Sequence, residues 1–249
     1  MSLRGKTVVV TRAQHQAQEM VQIFQQLGAK VIEFPLLEMR LIQGTDYQQT
    51  VNYLKQLHNY QATMVTSRNA VTFLMNIFTK ENFQSKILIT QPMFAIGEKT
   101  QQALQALDIP SIVSQHTTSA DLYQTIFDHC QPLGGKKMLV FRAKEGLDVL
   151  ANLLREQGVV IDIAYLYETI PLESGLGLPN VSIDWITFAS PTAVAAFCKR
   201  SKLPPRVKVA CIGPTTANKA HELDIPVDIV AKVATVTDLA LAMGAFETS

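Results

Sequence analysis

Hydroxyl and guanidinium side chains recur at matching places along this chain. Thr11 and Arg12 follow KTVVV, Ser67 follows ATMVT, and Thr100 closes FAIGEKT. Arg142 follows KMLVF, Ser190 follows WITFA, and Thr215 and Thr216 close ACIGPTT. Each group comes after a run rich in β-formers and before a helical pattern. In open α/β sheets that is the edge where ligands bind. Helix N-termini there present free N–H groups and a positive dipole end, so the chemistry offered is anion binding. Ser and Thr add donors without adding charge. Two such edges facing each other would make a cleft for a large polyanion. The same residue types also satisfy purely structural needs. Ser67, Ser190 and Thr118 suit helix N-caps, each worth about 1 kcal/mol. Gly97 and Gly213 suit tight strand-to-helix turns, and Arg12 and Arg142 suit surface ion pairs.

These residues belong to a duplication. Gly97 to Gly213 is a shift of 116 (213 − 97), and the same shift carries LDIP at 107–110 onto LDIP at 223–226. Arg12 to Arg142, Gly28 to Gly158 and Glu38 to Glu168 are each a shift of 130 (142 − 12). VTSRNAV at 65–71 pairs with FASPTAV at 188–194, aligning Ser67 with Ser190. TTSADL at 117–122 pairs more loosely with ATVTDL at 234–239. The order is therefore A1–B1–A2–B2, with a period too long for a solenoid.

The elements that must position the polar residues are short. KTVVV (6–10), KVIEF (30–34), ATMVT (62–66), KMLVF (137–141), VVIDI (159–163) and WITF (185–188) read as strands. Ala17, Met20, Val21, Phe24 and Leu27 fall at helical spacing, with Gly28 placed to end that helix. Leu147, Leu150, Ala151 and Leu154 repeat the pattern before Gly158. Strand–helix alternation predicts an α/β fold with parallel sheets covered by helices on both faces. IEFPLLEM (32–39) and IAYLYETI (163–170) are extended and equivalent in the two copies, and PLESGLGLPN (171–180) is a loop. Pattern alone leaves two partitions open. A1 pairs with B1, with a cut near Gly134-Gly135, or A1 closes a domain with B2 while B1 folds with A2.

Composition excludes several classes. With 249 residues, two units of about 120 can each bury a core. Net charge is +1, which advertises no nucleic-acid surface. No apolar run approaches the ~18 residues of a membrane span, and the N-terminal MSLRGKTVVVTRAQ has a short apolar strand without a cleavable apolar segment, so no secretion signal is expected. Three cysteines without CxxC spacing favour a reducing cytoplasm over structural zinc, and five scattered histidines give a metal site little support. GxxxxGK[ST], GxSxG and a dinucleotide fingerprint are all missing, so a cofactor-free protein is expected.

VTRA, TSRNAV, FAIGEKT, SADL, LVFRA, LYET, FASPTAV and CIGPTT occur here in an order and spacing similar to that of uroporphyrinogen-III synthases. The resemblance spans nearly the whole chain and is loosest at 40–60 and 80–92. It implies two related α/β domains joined by a two-stranded β-ladder: residues 1–36 with 170–249, and residues 39–166, the ladder being about 32–39 and 163–170. It implies an enzyme, a cyclising hydro-lyase that converts hydroxymethylbilane into uroporphyrinogen III, with the duplicated loops as walls of one active-site cleft. It also implies Tyr167, in the Tyr-Glu-Thr element at 167–169, as candidate general acid. Substrate carboxylates would be held by Arg12, Ser67, Thr100, Arg142, Ser190, Thr215 and Thr216; Arg68 is answered by Pro191 in the copy and Lys99 by Thr215. A tyrosine phenol carries its proton at neutral pH and can donate it; the plainer role for Tyr167 is a packing tyrosine on the ladder. No metal or cofactor is implied. The expected partners are the small-molecule substrate and, by transient handover, hydroxymethylbilane synthase, without nucleic acid or membrane. One chain supplies both lobes, so a cytoplasmic monomer is expected. The alternative is a non-catalytic two-lobed binding protein for an anionic metabolite.

Overall fold

The computed structural model describes residues 2–114, 116, 118–172 and 177–248, with backbone alone for residues 14–16. Residues 173–176, in the loop expected at 171–180, and Thr117 of the TTSADL motif lie outside the described residues. In chain order the first elements are β1 (Thr7–Val10), α1 (Gln14–Gln26), β2 (Lys30–Glu33), β3 (Leu37–Leu41) and α2 (Gly44–Lys55). Next come β4 (Ala62–Val65), α3 (Arg68–Lys80), β5 (Met93–Ala95), α4 (Glu98–Gln105), β6 (Ile112–Val113) and α5 (Ser119–Cys130). Then follow β7 (Lys137–Ala143), α6 (Val149–Glu156), β8 (Val160–Pro171), β9 (Trp185–Phe188) and α7 (Pro191–Arg200). The last are β10 (Lys208–Cys211), α8 (Pro214–Glu222), β11 (Ile229–Val230) and α9 (Val236–Phe246).

The chain divides into two compact units: unit 1 is Met1–Met39 with Ile170–Ser249, and unit 2 is Arg40–Thr169. The sheet of unit 1 has the order β11-β10-β9-β1-β2, parallel throughout. The other sheet has the order β3-β8-β7-β4-β5-β6, with β8 to β6 parallel. β3 and β8 run in opposite directions, because Leu172 N donates to Leu36 O while Ile42 N donates to Leu166 O. These two strands carry the chain from one unit into the other.

The duplication is visible in strand register. Val10 lies opposite Thr187 in unit 1, and Val140 lies opposite Met64 in unit 2. Those pairs are related by the shifts of 130 (140 − 10) and 123 (187 − 64) that relate Arg12 to Arg142 and Ser67 to Ser190. Thr63 opposite Met93 matches Ile186 opposite Val209, the latter partner shifted by 116 (209 − 93). Each sheet therefore places an A segment beside a B segment of the other repeat.

Packing follows from pattern. β1 is a β-branched run, and its residues are buried alternately against two cores. Val9 packs with Ile186, Phe188, Phe197 and Val209. Val8 and Val10 pack with Phe24, Trp185, Leu239 and Met243 on the opposite face. In unit 2, Met64, Phe94, Met138, Val140 and Leu154 form one such layer. Gly28 and Gly158 follow α1 and α6 at φ +86° and +77°, the left-handed conformation that stops a helix at small cost only with glycine. Leu147, expected on the core face of α6, instead precedes that helix and is 83% exposed. The first turn present in α1 is replaced in the copy by a loop, so the periodicity there begins one turn late.

Candidate active site

In unit 2 the chain progresses from β4 through β5 to β6, and β7 then returns to the opposite side of β4. That reversal opens a crevice at the carboxyl ends of β4 and β7. Ser67 sits there as the N-cap of α3, in extended conformation (φ −162°, ψ 158°). Its Oγ accepts the Ala70 N–H at 3.1 Å, satisfying one of the orphan donors of the helix start. The same hydroxyl lies 3.3 Å from the Tyr167 hydroxyl. Phe73, further along α3, stacks its ring on Tyr167 with centroids 4.7 Å apart and planes 18° apart. One short helix thus supplies both the polar and the apolar contact that fix the phenol.

Tyr167 reaches this position from β8, and it is 6% exposed. The pairing of β8 with β7 slips just here: Arg142 faces Tyr165 and Ala143 faces Tyr167, leaving Leu166 as the extra residue of a bulge. Bulges re-aim side chains, and they occur beside active sites more often than elsewhere in sheets. The backbone around it is tied down by Lys144 N donating to Tyr167 O at 2.9 Å and Thr169 N donating to Glu145 Oε1 at 3.1 Å. Arg40 and Glu168 pair at 2.8 Å across β3 and β8. Lys144 bonds Asp46 at 2.7 Å, and that hydrogen bond raises the lysine above its ordinary pKa.

Arg142 points inward. It is 5% exposed, pairs with Asp148 at 2.7 Å, and donates to Leu147 O at 2.6 Å. Its guanidinium lies over the Tyr165 ring at 5.6 Å, and its Nε meets no hydrogen-bond partner. The loop 144–148 is folded around this cation; a Cβ on Gly146 would lie 3.4 Å from the guanidinium carbon. Thr100 follows Gly97 (φ +75°) in the first turn of α4 and is buried.

Unit 1 repeats the frame with different occupants. Ser190 caps α7 by accepting Ala193 N–H at 3.2 Å. Thr11 Oγ1 donates to Thr187 O at 2.7 Å and Thr187 Oγ1 donates to Val9 O at 3.0 Å, so buried hydroxyls knit β1 to β9 at the equivalent crevice. Arg12 is half-buried at the end of β1; Thr215 is exposed in the first turn of α8, and Thr216 is buried beside it. The shift of 130 puts Leu37 where unit 2 has Tyr167 (167 − 37), and the shift of 123 puts Ala196 where unit 2 has Phe73 (196 − 73). Both counterparts are buried in an apolar cluster. Only the unit 2 copy carries a phenol.

Of the residues singled out from sequence, the structure brings Ser67 and Tyr167 together in unit 2 and places Arg142 nearby on β7, turned into its own loop. Thr100 and Thr216 are buried in the first turns of α4 and α8. Phe73 was missed from sequence, and the available signal was the contrast between Phe73 and Ala196 inside an otherwise faithful repeat. A groove of about 890 Å³ lined by Leu41, Gly44, Tyr47, Asn52 and Lys80 includes none of these residues. Among the described residues no group of three or more His, Cys, Asp or Glu is placed to hold a metal ion, and no helix is long and apolar enough to cross a membrane.

Comparison with known proteins gives a consistent result. A family model described as uroporphyrinogen-III synthase HemD matches residues 18–240. A uroporphyrinogen-III synthase of Chlorobaculum parvum is 27% identical over 240 residues, covering 90% of this chain and 92% of that protein. One of Synechococcus elongatus is 24% identical, covering 97% and 95%. The crystal structure of uroporphyrinogen-III synthetase from Helicobacter pylori has the same fold, with a TM-score of 0.65 at 20% identity over 98% of this chain and 100% of that one.

Proposed function

The chain belongs to the uroporphyrinogen-III synthase family, and we propose that the proton donor for its reaction is the phenol of Tyr167 in unit 2. The substrate class is the linear tetrapyrrole hydroxymethylbilane, which carries eight carboxylates. The reaction loses water from the terminal hydroxymethyl group, and an electron-rich pyrrole drives that ionisation. The substituted carbon of the last ring attacks the exocyclic carbon of the resulting azafulvene, and the spiro intermediate so formed fragments and recloses with that ring inverted. The protein need supply no strong nucleophile. It must hold the chain so that simple head-to-tail closure to the type I isomer loses the race. A phenol that gives its proton to the departing hydroxyl turns hydroxide into water as leaving group.

The observation that carries this reading is the setting of Tyr167. Its ring is stacked on Phe73, its hydroxyl lies at the N-cap of α3, and its counterpart in the other repeat is Leu37. Anion binding falls to the strand-end loops. Arg12, Ser190 and Thr215 offer donors there, while Ser67 Oγ faces the Tyr167 hydroxyl and Thr100, Thr216 and Arg142 are buried within the same loops. A cytoplasmic monomer that takes its substrate by transient handover from hydroxymethylbilane synthase fits this reading. Family membership sets aside the non-catalytic binding protein.

The test supplies freshly made hydroxymethylbilane and separates the oxidised type I and type III products by chromatography. Type III in large excess over the no-enzyme control is expected. Tyr167→Phe should lower kcat roughly 100-fold with little change in KM. Type I alone, formed at the spontaneous rate by folded protein, would overturn the activity. An unchanged kcat in Tyr167→Phe would remove the phenol as donor.

A further inference from the structure

Two hydroxyls 3.3 Å apart share one proton between them, and which one donates decides what Tyr167 can do. Ser67 Oγ already accepts the Ala70 N–H. A hydroxyl oxygen that accepts a hydrogen bond becomes a stronger donor through its own proton, because chains of hydrogen bonds polarise one another. The favoured chain therefore runs from Ala70 N–H to Ser67 O–H to Tyr167 Oη. In that direction the phenol proton is left pointing away from α3. In the opposite direction the phenol would spend its proton on Ser67 and have none aimed outward. The positive end of α3 acts the same way, favouring negative charge as it develops on the phenol oxygen.

We infer that Ser67 is a positioning residue for Tyr167: its hydroxyl donates to Tyr167 Oη, keeps the phenol proton directed at the substrate, and stabilises the phenolate formed when that proton leaves. The inference rests on Tyr167 being the proton donor. The step is balanced within the reaction. The C–O bond of the hydroxymethyl group breaks with its electron pair on oxygen, the phenol proton completes the departing water, and the pyrrole nitrogen lone pair fills the vacated carbon. The proton lost from pyrrole carbon on ring closure restores the phenol. The repeat provides an internal control. Ser190 makes the same cap on α7, at 3.2 Å to Ala193 N, but the residue that the shift of 130 aligns with Tyr167 is Leu37, which has no hydroxyl to offer. Capping is therefore common to both units, and the bond to a phenol belongs to unit 2.

The experiment is a double-mutant cycle on the full chain, read as kcat and KM for type III formation. Ser67→Ala should lower kcat roughly 10- to 100-fold, and Ser67→Thr, which caps and donates, should recover most of that loss. Ser67→Asp also caps a helix but can only accept, so it should fold as stably as wild type while kcat stays low. In the Tyr167→Phe background, Ser67→Ala should lower kcat less than about 2-fold further, since the bond is already gone. The melting temperature of Ser190→Ala gives the effect of losing a cap alone, and Ser67→Ala should lose at least as much, because the buried phenol loses its partner as well. If Tyr167→Phe lowers kcat but Ser67→Ala multiplies that loss in full, or if Ser67→Asp is as fast as Ser67→Thr, the inference is wrong and the donor assignment stands. If Tyr167→Phe leaves kcat intact, both are wrong.

Discussion

Glu247, the residue capping the end of α9, holds the amino-end edge of the unit 1 sheet. Its carboxylate accepts from Lys6 Nζ at 2.6 Å, Lys208 Nζ at 2.6 Å and Trp185 Nε1 at 3.0 Å. Burial pushes the carboxyl up, but the hydrogen bonds from Lys208, Lys6 and Trp185 outweigh it and lower it from 4.5 to about 2. Lowering a carboxyl that far corresponds to about 3 kcal/mol. The folded value lies below the unfolded one, so this stability is fully present above about pH 4.5 and is lost as pH falls toward 2. Glu247→Gln removes it at every pH. The glutamine oxygen can still accept from Trp185, and the two lysines, each about a third exposed, partly rehydrate. The expected loss at pH 7 is therefore about 2 kcal/mol. Trp185 is the one tryptophan in the chain and is fully buried, so its fluorescence reports unit 1 alone. With a urea slope of about 2 kcal/mol per M, the midpoint should fall by about 1 M at pH 7 and by roughly 0.4 M near pH 3, where about two-fifths of the effect remains. A midpoint change under about 0.2 M at pH 7, or one of equal size at both pH values, would refute the reasoning.

Two further substitutions test the loops. Gly97 has φ +75° whereas its counterpart Gly213 is extended at φ −175°, so Gly97→Ala should destabilise by about 1 to 2 kcal/mol. A Cβ on Gly213 would meet only the Ala234 Cβ at 3.6 Å, an ordinary contact, so Gly213→Ala should change stability by under about 0.5 kcal/mol; equal losses in thermal melts would contradict this. Arg142→Lys exchanges a planar fork bonded to Asp148 and Leu147 O for a point charge, and should lose about 1 to 3 kcal/mol. Limited proteolysis should then cut at 144–148, and a loop as resistant as in wild type would show that Arg142 does not anchor it.

The repeat was legible because duplication copies spacing, and strand register preserves the same three shifts. Helix starts were legible for the same reason: Ser67, Thr118, Ser190 and Thr235 all accept an N–H three residues on. Which A segment pairs with which B segment was not, because β1 and β7 carry the same apolar pattern and either would satisfy either neighbour. The resemblance, and not periodicity, drew attention to Tyr167. Its partner Phe73 was hidden because an aromatic on the buried side of an amphipathic helix reads as core. Arg142 and Arg12 looked alike in sequence. The loop folded around Arg142 depends on Asp148 and Gly146, which no spacing rule connects to an arginine four to six residues earlier.

The pairing of β1 with β9 also bears on how the protein is made. Val9 lies beside Ile186, so the sheet of unit 1 cannot close until late in synthesis. Unit 2 is continuous, from Arg40 to Thr169, and can fold on its own schedule as it emerges. During that interval β1 and α1 wait with TVVV, Met20 and Phe24 uncovered, a window for mispairing that a chaperone acting on the first 39 residues would protect.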